Sequence, residues 1–463
     1  MPTQSDYRFD FEITEGPSFE VVRFGLSEGL STPFRLELEL ASGQSSMDFD
    51  ALLDVAATFT LSRSGVAVRR VHGIVTAFEQ GASGFRRTRY RAVVEPELVR
   101  LGLRHNSRIF QRQAVPAILK TLLDEQRVQG RFETAQEHLE REYCVQHREY
   151  DQTFLQRLAG EEGLAYYFDA AAQSQLVLTD ALPAGPRLPG AGEDTGTVIY
   201  QPNPGGDAAG PRLWRFAYRR QLAPTRATGR DYTFRNPRYD LQHQAQASGE
   251  GVVGDYEHYD APGRYKVDEA GKPFTRTRLQ ALRHDAGQAE MEGDDARLWP
   301  GLAFALADAP GAAPNHDWRV VAMLHQGEQS SSQEEDGFGA ERGSRYAYTA
   351  QAVPASFDWK PAPSPRPVMD GPQMAHVVGP PGEEIHVDEH GRVMVWFPWD
   401  REGPRENSTC WIRVSQGWAG ASYGMQVLPR IGHEVLVSFL EGDPDQPIVT
   451  GRAYHAANRP PYA

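Results

Sequence analysis

Several sets of side chains in this sequence have types and spacings that could do chemistry. Gly25-Leu26-Ser27-Glu28-Gly29 has the spacing of a nucleophile elbow, which aims a serine from a tight strand-to-helix turn. That chemistry needs a helix after the serine. A strand pattern follows instead, so a hairpin loop is the preferred account of residues 25–29. His386, Asp388 and His390 alternate, which would place three potential metal ligands on one strand face. A zinc centre would need further strands to support it, and a polar outer face is the simpler account. Cys410 and His433 could form a thiol and base pair. Cys410 opens an apolar run, however, which suits a small buried thiol. Glu441, Asp443 and Asp445 make an acidic loop without the ligand register of an EF-hand calcium site, and Pro444 already explains a turn there. Trp396, Trp399, Trp411 and Trp418 could stack on a sugar, although core and interface packing is the default for such rings. Neither HExxH nor GxxxxGK[ST] occurs. The expectation is a chain that is not an enzyme: no catalytic residues, no cofactor, no metal, and Trp411 and Trp418 in structural positions.

The elements that would carry most of these residues lie between 384 and 455. β-Branched and aromatic runs at 391–397, 411–415, 434–440 and 447–454 are separated by turn chemistry at Glu389-His390-Gly391, Pro429-Arg430-Ile431-Gly432 and Gly442-Asp443-Pro444-Asp445. Short strands at this spacing, with no helical pattern among them, predict a closed barrel of about five strands. Upstream, residues 7–24 and 34–40 read as strands, the latter alternating cleanly between apolar and charged side chains. One helical turn is expected at 47–53, then strands near 55–62, 66–78 and 85–95. Val115, Ile118, Leu119, Leu122 and Leu123 fall on one face of a helix predicted over 114–126, with Pro116 in its first turn. A strand at 143–149 precedes a helix that Asp151 starts and Gly163 ends, and 164–168 is the next strand. After a connection rich in Pro, Gly and Ala at 181–212, strands are predicted at 213–218, 302–306, 318–325 and 346–353, and a helical run at 274–292. Residues 326–344 form a polar loop expected to be mobile. The proline-dense stretch 360–373 must be extended and acts as a semi-rigid linker.

Gly391-Arg392-Val393, Trp399-Asp400-Arg401, Cys410-Trp411-Ile412-Arg413-Val414, Trp418-Ala419-Gly420, Pro429 to Gly432 and Gly442 to Asp445 together resemble the OB-fold signature of VgrG proteins, the trimeric spike of the bacterial type VI secretion system. Pro398 and Gly417 stand where the commonest form has His and Pro. The stretch 28–36 and both predicted helices resemble the hub of the same family, which is similar to the hub and spike of contractile phage tails. The resemblance implies a mainly β fold with a few helices (α+β): β-barrel hub domains followed by a C-terminal OB-fold β-barrel. Its implied domains are a first hub barrel region with two helices at 1–180, a second at 181–353, the linker at 354–373, the OB-fold domain at 374–457, and a tail at 458–463 where a β-helix needle would begin. It implies a homotrimer on a hexameric secreted tube protein. Its other implied partners are a spike-tip protein, effectors with their adaptor chaperones, and baseplate components. Without the needle such a trimer should be concentration-dependent. The alternative is a phage-like tail hub with cell-wall hydrolase activity. No internal repeat is evident, so a duplicated hub barrel rests on the resemblance alone.

Length and charge fit this picture. A chain of 463 residues suggests about three domains at roughly 150 residues each. Its formal charge of −14 argues against a nucleic-acid partner, which wants a basic face. Two cysteines, Cys144 and Cys410, make no disulfide framework. The N-terminal residues lack a signal-peptide layout, and no apolar run could span a bilayer. The expected itinerary is cytoplasmic during assembly, then secretion without a cleaved signal.

Overall fold

The computed structural model describes residues 7–84, 86–190, 196–202, 210–249, 252–310, 316–329, 343–403 and 405–462. Most of the predicted polar loop, and parts of the 181–212 connection, lie outside the described residues. In chain order the strands begin with β1 (Tyr7–Ile13), β2 (Phe19–Gly29), β3 (Thr32–Ser42), β4 (Ala56–Arg63), β5 (Val66–Ser83) and β6 (Thr88–Glu95). There follow β7 (His105–Phe110), α1 (Val115–Glu125), β8 (Gly130–Glu133), β9 (Cys144–Tyr150), α2 (Asp151–Glu162), β10 (Ala165–Asp169) and β11 (Gln175–Thr179). The middle of the chain holds β12 (Thr197–Ile199), β13 (Leu213–Arg220), β14 (Arg226–Asp231), β15 (Leu241–Gln246), β16 (Glu257–Asp260), α3 (Asp268–Leu282), β17 (Gly287–Gly293), β18 (Ala303–Ala307), β19 (Asp317–Gln329) and β20 (Ser344–Pro354). The last segment has β21 (Gln373–Val378), β22 (Met394–Trp396), β23 (Arg413–Val414), β24 (Ala419–Gly420), β25 (Tyr423–Gly424), β26 (Glu434–Phe439) and β27 (Pro447–Ala453).

Two compact units emerge. The first comprises Met1–Val99, Arg127–Glu137 and Ala159–Pro363. Its strands β1-β4-β5-β6-β3-β2 pair in that order, and β2 returns to β1, closing a six-stranded barrel. Alternation explains the closure. In β3 the residues Phe34, Leu36, Leu38 and Leu40 point into the core, while Arg35, Glu37 and Glu39 face out. Arg35 bridges Glu37 and Glu95 on that outer face. The same sheet continues from β2 through β19, β20 and β17 to β13. A shared core of Phe, Leu, Val and Tyr side chains fills this unit, with Trp318 fully buried at its second half. A smaller sheet of β14, β15 and β16 carries α3 against it.

The second unit comprises Arg100–Gln126, His138–Leu158 and Ser364–Ala463. Strands β22-β21-β26-β27-β23 pair in that order, and a bridge between Val393 and Ile412 joins the ends, giving the five-stranded closed barrel. Its core is Val377, Val393, Val395, Phe397, Ile412, Val435 and Val437, with Tyr143 and Val145 of the β9 segment packed in. Helix α1 buries Val115, Ile118, Leu119, Leu122 and Leu123, with Pro116 in its first turn as the spacing predicts. The helix-bearing stretches 100–126 and 138–158, expected with the first hub region, group here with the C-terminal residues.

Two local expectations need correction. Residues 25–29 are not a hairpin loop. They lie within β2, paired to β3 on one side and to β19 on the other. The helical run at 274–292 ends at Leu282. Residues 287–293 form β17 instead, with Ala289 and Met291 inward, because β13 and β20 flank it and a ladder outweighs local helix preference. The single helical turn expected at 47–53 is present, with Leu52 and Leu53 N–H both donating to the Phe49 carbonyl, at 3.0 and 3.2 Å.

Candidate functional site

The strand that carries Ser27 settles the elbow question. Ser27 faces outward, and its hydroxyl donates to the Arg35 carbonyl at 3.4 Å. Its neighbour Glu28 turns inward into a buried polar cluster. Arg69 Nη2 reaches Glu28 at 2.8 and 2.6 Å, and His325 Nε2 lies 2.8 Å from Glu28 Oε1. His325 Nδ1 is 2.8 Å from the Tyr346 hydroxyl. Burial alone would raise the Glu28 carboxyl, but Arg69 and His325 hold it below the ordinary range. Burial pushes the His325 imidazole down, against the pull of Glu28. Both of its ring nitrogens are engaged, and neither serves Ser27 as a base. The cluster is a structural staple across β2, β5, β19 and β20.

In the C-terminal barrel the candidate ligands part ways. Residues 385–388 are irregular rather than a strand, so His386, Asp388 and His390 share no strand face. The reason is Asp388: its carboxylate accepts the N–H groups of His390 and Arg392 at 3.0 and 2.9 Å and the Arg392 Nε at 2.7 Å, which closes a loop. Burial opposes that charge, but the bonds from Arg392 and His390 keep the carboxyl below its usual value. His386 packs against Trp411 with ring centroids 4.9 Å apart, and His390 sits by Glu389. Among the described residues no three His, Cys, Asp or Glu side chains gather closely enough to hold a metal ion. Burial raises the Cys410 thiol far above reactivity at neutral pH. His433 Nδ1 instead accepts the Arg430 N–H at 3.3 Å.

The acidic loop is a clasp. Asp445 Oδ1 accepts the Val145 N–H at 2.7 Å, tying β9 to the barrel. Asp443 accepts the Asp445 N–H at 3.0 Å and pairs with Arg366 at 3.2 Å. Burial, then the Asp443 charge, lifts the Asp445 carboxyl to about 6. Arg157 pairs with Glu149 at 2.8 Å and donates to the Val145 carbonyl at 3.1 Å in the same network.

The four tryptophans divide. Trp399 stacks on Phe397 at 5.0 Å and donates to Gln373 at 2.7 Å. Trp396 stacks on His376 and donates to the Asp400 carbonyl at 3.1 Å. Trp411 is half-buried beside His386. Trp418 breaks the structural expectation, for it is 62% exposed. It opens a short arm, 417–427, in which every residue is exposed. The arm is the hairpin of β24 and β25, with Met425 N–H donating to the Trp418 carbonyl at 2.8 Å. At its base the Gln416 amide brackets Val427: Val427 N–H donates to it at 3.1 Å, while the Val427 carbonyl accepts from Gln416 and from Arg452. Gly424 (φ +135°) brings its Cα against the Trp418 carbonyl, where a Cβ would lie 2.4 Å away. A Cβ on Gly420 would strike the Tyr423 ring at 2.4 Å. These two glycines let Trp418 and Tyr423 meet edge to face at 5.8 Å, in solvent. Spacing alone could not reveal the exposure. The uncharged run from 414 to 429 was the available signal.

Comparison with known proteins places these parts. The model of the phage tail baseplate hub family matches residues 27–331, and that of the type VI secretion system/phage-baseplate injector OB domain matches 383–454. The chain is 50% identical to the type VI secretion system spike protein VgrG2b of Pseudomonas aeruginosa over 99% of its own length and 45% of the relative's. It is 50% identical to VgrG2a of the same organism, spanning 99% of this chain and 55% of that one. It is 44% identical to the actin cross-linking toxin VgrG1 of Vibrio cholerae, with 98% and 42% covered. The chain therefore spans about half the length of the curated relatives it matches. Among solved structures, an E. coli type VI secretion component described as similar to the T4 bacteriophage tail proteins gp27 and gp5 superposes with TM-score 0.69 at 21% identity, covering 96% of this chain and all of that one. A Francisella PdpA-VgrG complex in a half-lidded state gives 0.63 at 8% identity, covering 98% and 79%. At such identities the two structures speak for the fold alone.

Proposed function

The chain belongs to the phage tail baseplate hub family, among the VgrG spike proteins of type VI secretion, and from that premise we propose that it is the hub and OB-barrel portion of a trimeric spike. The observation that carries this is the sequence of parts: hub match, extended linker and injector OB match follow one another on one chain. In this reading three copies cap a hexameric secreted tube, puncture a target membrane, and carry effectors through adaptor chaperones. A spike-tip protein and baseplate components are the remaining partners. The acidic charge speaks against nucleic acid. The portion acts without catalysis of its own. In support, Ser27 bonds a strand carbonyl, Asp388 closes a loop, Asp445 forms the clasp and Cys410 is a buried thiol. The protein assembles in the cytoplasm and leaves through the machine.

Deleting the gene in its host and measuring tube protein in the medium tests the role. Loss of release that returns with the intact gene supports it, and unchanged release refutes it. Digestion of peptidoglycan by the purified chain, abolished by a single substitution, would refute the non-catalytic part.

A further inference from the structure

The arm at 417–427 is held rigidly at its base and covered by nothing in its own unit. Trp418 and Tyr423 are each 62% exposed, Met425 52% and Val427 47%. At 150–250 Å² per large aromatic, the arm presents on the order of 350 Å² of apolar surface, comparable to the largest patch on a typical monomer and often functional. Solvent alone does not favour such a feature. A two-stranded hairpin is marginally stable in water, yet this one has a glycine, Gly424, where backbone leaves no room for a Cβ, and a bonded base. It is shaped in advance to be covered, which lowers the entropy cost of binding.

Three observations choose the occupant. No charged residue lies between Val414 and Pro429. For a chain of net charge −14, an uncharged projection is where a second copy can approach with least repulsion. Lipid-seeking aromatic segments usually carry Lys or Arg beside their rings, and this arm has none. Finally, burying the arm and an equal area on a neighbour removes roughly 700 Å², short of the ~1,200 Å² at the low end of specific interfaces, so the arm would be the apolar centre of a wider contact rather than the whole of it. We propose that the arm is a contact between copies of this chain, in which Trp418 and Tyr423 pack as the central anchor against the adjacent copy of the spike.

This rests on the trimeric reading above, and one experiment separates the two. Light scattering and sedimentation of the parent chain, Trp418→Ala and Tyr423→Ser are compared across a dilution series, with thermal melting of each as a folding control. The expected result is a parent trimer and a dissociation constant raised about 30-fold or more in either variant, as for a truncated interface anchor. Equal trimer strength in parent and variants overturns the arm contact while leaving the trimer standing. A parent that is monomeric at every concentration overturns both. Should the parent bind zwitterionic phosphatidylcholine vesicles, lose that binding on Trp418→Ala and keep its trimer, the arm belongs to lipid and the proposal fails.

Discussion

The two barrels solve the same problem with opposite means. The hub barrel uses strands of 7–18 residues whose alternation alone defines inside and outside. Its polar cargo, Glu28 with Arg69 and His325, is sealed within. The C-terminal barrel makes do with strands of 2–7 residues. What it lacks in ladder it recovers in loops, through the Asp388 turn, the Asp400 carboxylate accepting the Glu402 N–H, and the Asp443–Asp445 clasp. In the first barrel, then, a mutation matters by burial. In the second, it matters by which backbone groups a side chain satisfies.

That contrast can be broken at graded cost. The largest effect is expected from Arg69→Met, which leaves Glu28 buried without its main counter-ion. Removing one partner of a buried pair costs about 3–5 kcal/mol, readable by denaturant unfolding. In the second barrel, Asp445→Asn keeps an acceptor for the Val145 N–H and removes the charge. Because the folded carboxyl sits at about 6, above its unfolded value, its protonated form is favoured by folding. That contribution is present at low pH and fades as pH rises through 6. Asp445→Asn should therefore match the parent at pH 4 and exceed it at pH 7.5, by at most ~3 kcal/mol. Parallel melting curves at both pH values would discard the clasp's titration. Trp411→Ala, from a half-buried site, should cost roughly 1–2 kcal/mol rather than the ~3–5 of a core ring, as thermal melting would show. Smallest is Trp418→Ala, whose monomer stability should move by less than ~0.5 kcal/mol.

Legibility followed the same division. The hub strands and α1 were readable because their apolar period is regular, as at Phe34 to Leu40 and Val115 to Leu123. The OB barrel was readable from its turns and its family signature. What failed depends on partners distant in sequence. Residues 25–29 look like a loop until β19, some 295 residues later, pairs with them. The strand at 287–293 is dictated by β13 and β20 on its flanks. The irregular course of 385–388 follows from Asp388 turning back on Arg392. No rule of spacing separates Trp399, stacked on Phe397, from Trp418, left in solvent. Their difference is whether the neighbouring chain folds back over the ring.

The pairing of β2 with β19 also sets a clock. As the chain leaves the ribosome, residues 7–95 can close their barrel, but Arg23 to Gly29 must wait for Ala322 to Glu328. At roughly 5–20 residues per second that wait is on the order of 10–50 s. Throughout it, the second half of β2 is an open strand edge in a crowded cytosol, able to accept any passing β-segment. Nascent copies of this chain on neighbouring ribosomes carry the matching segment. Spacing between translating ribosomes thus becomes a variable in the yield of correctly folded hub, and holding the nascent edge until β19 emerges is work suited to a chaperone.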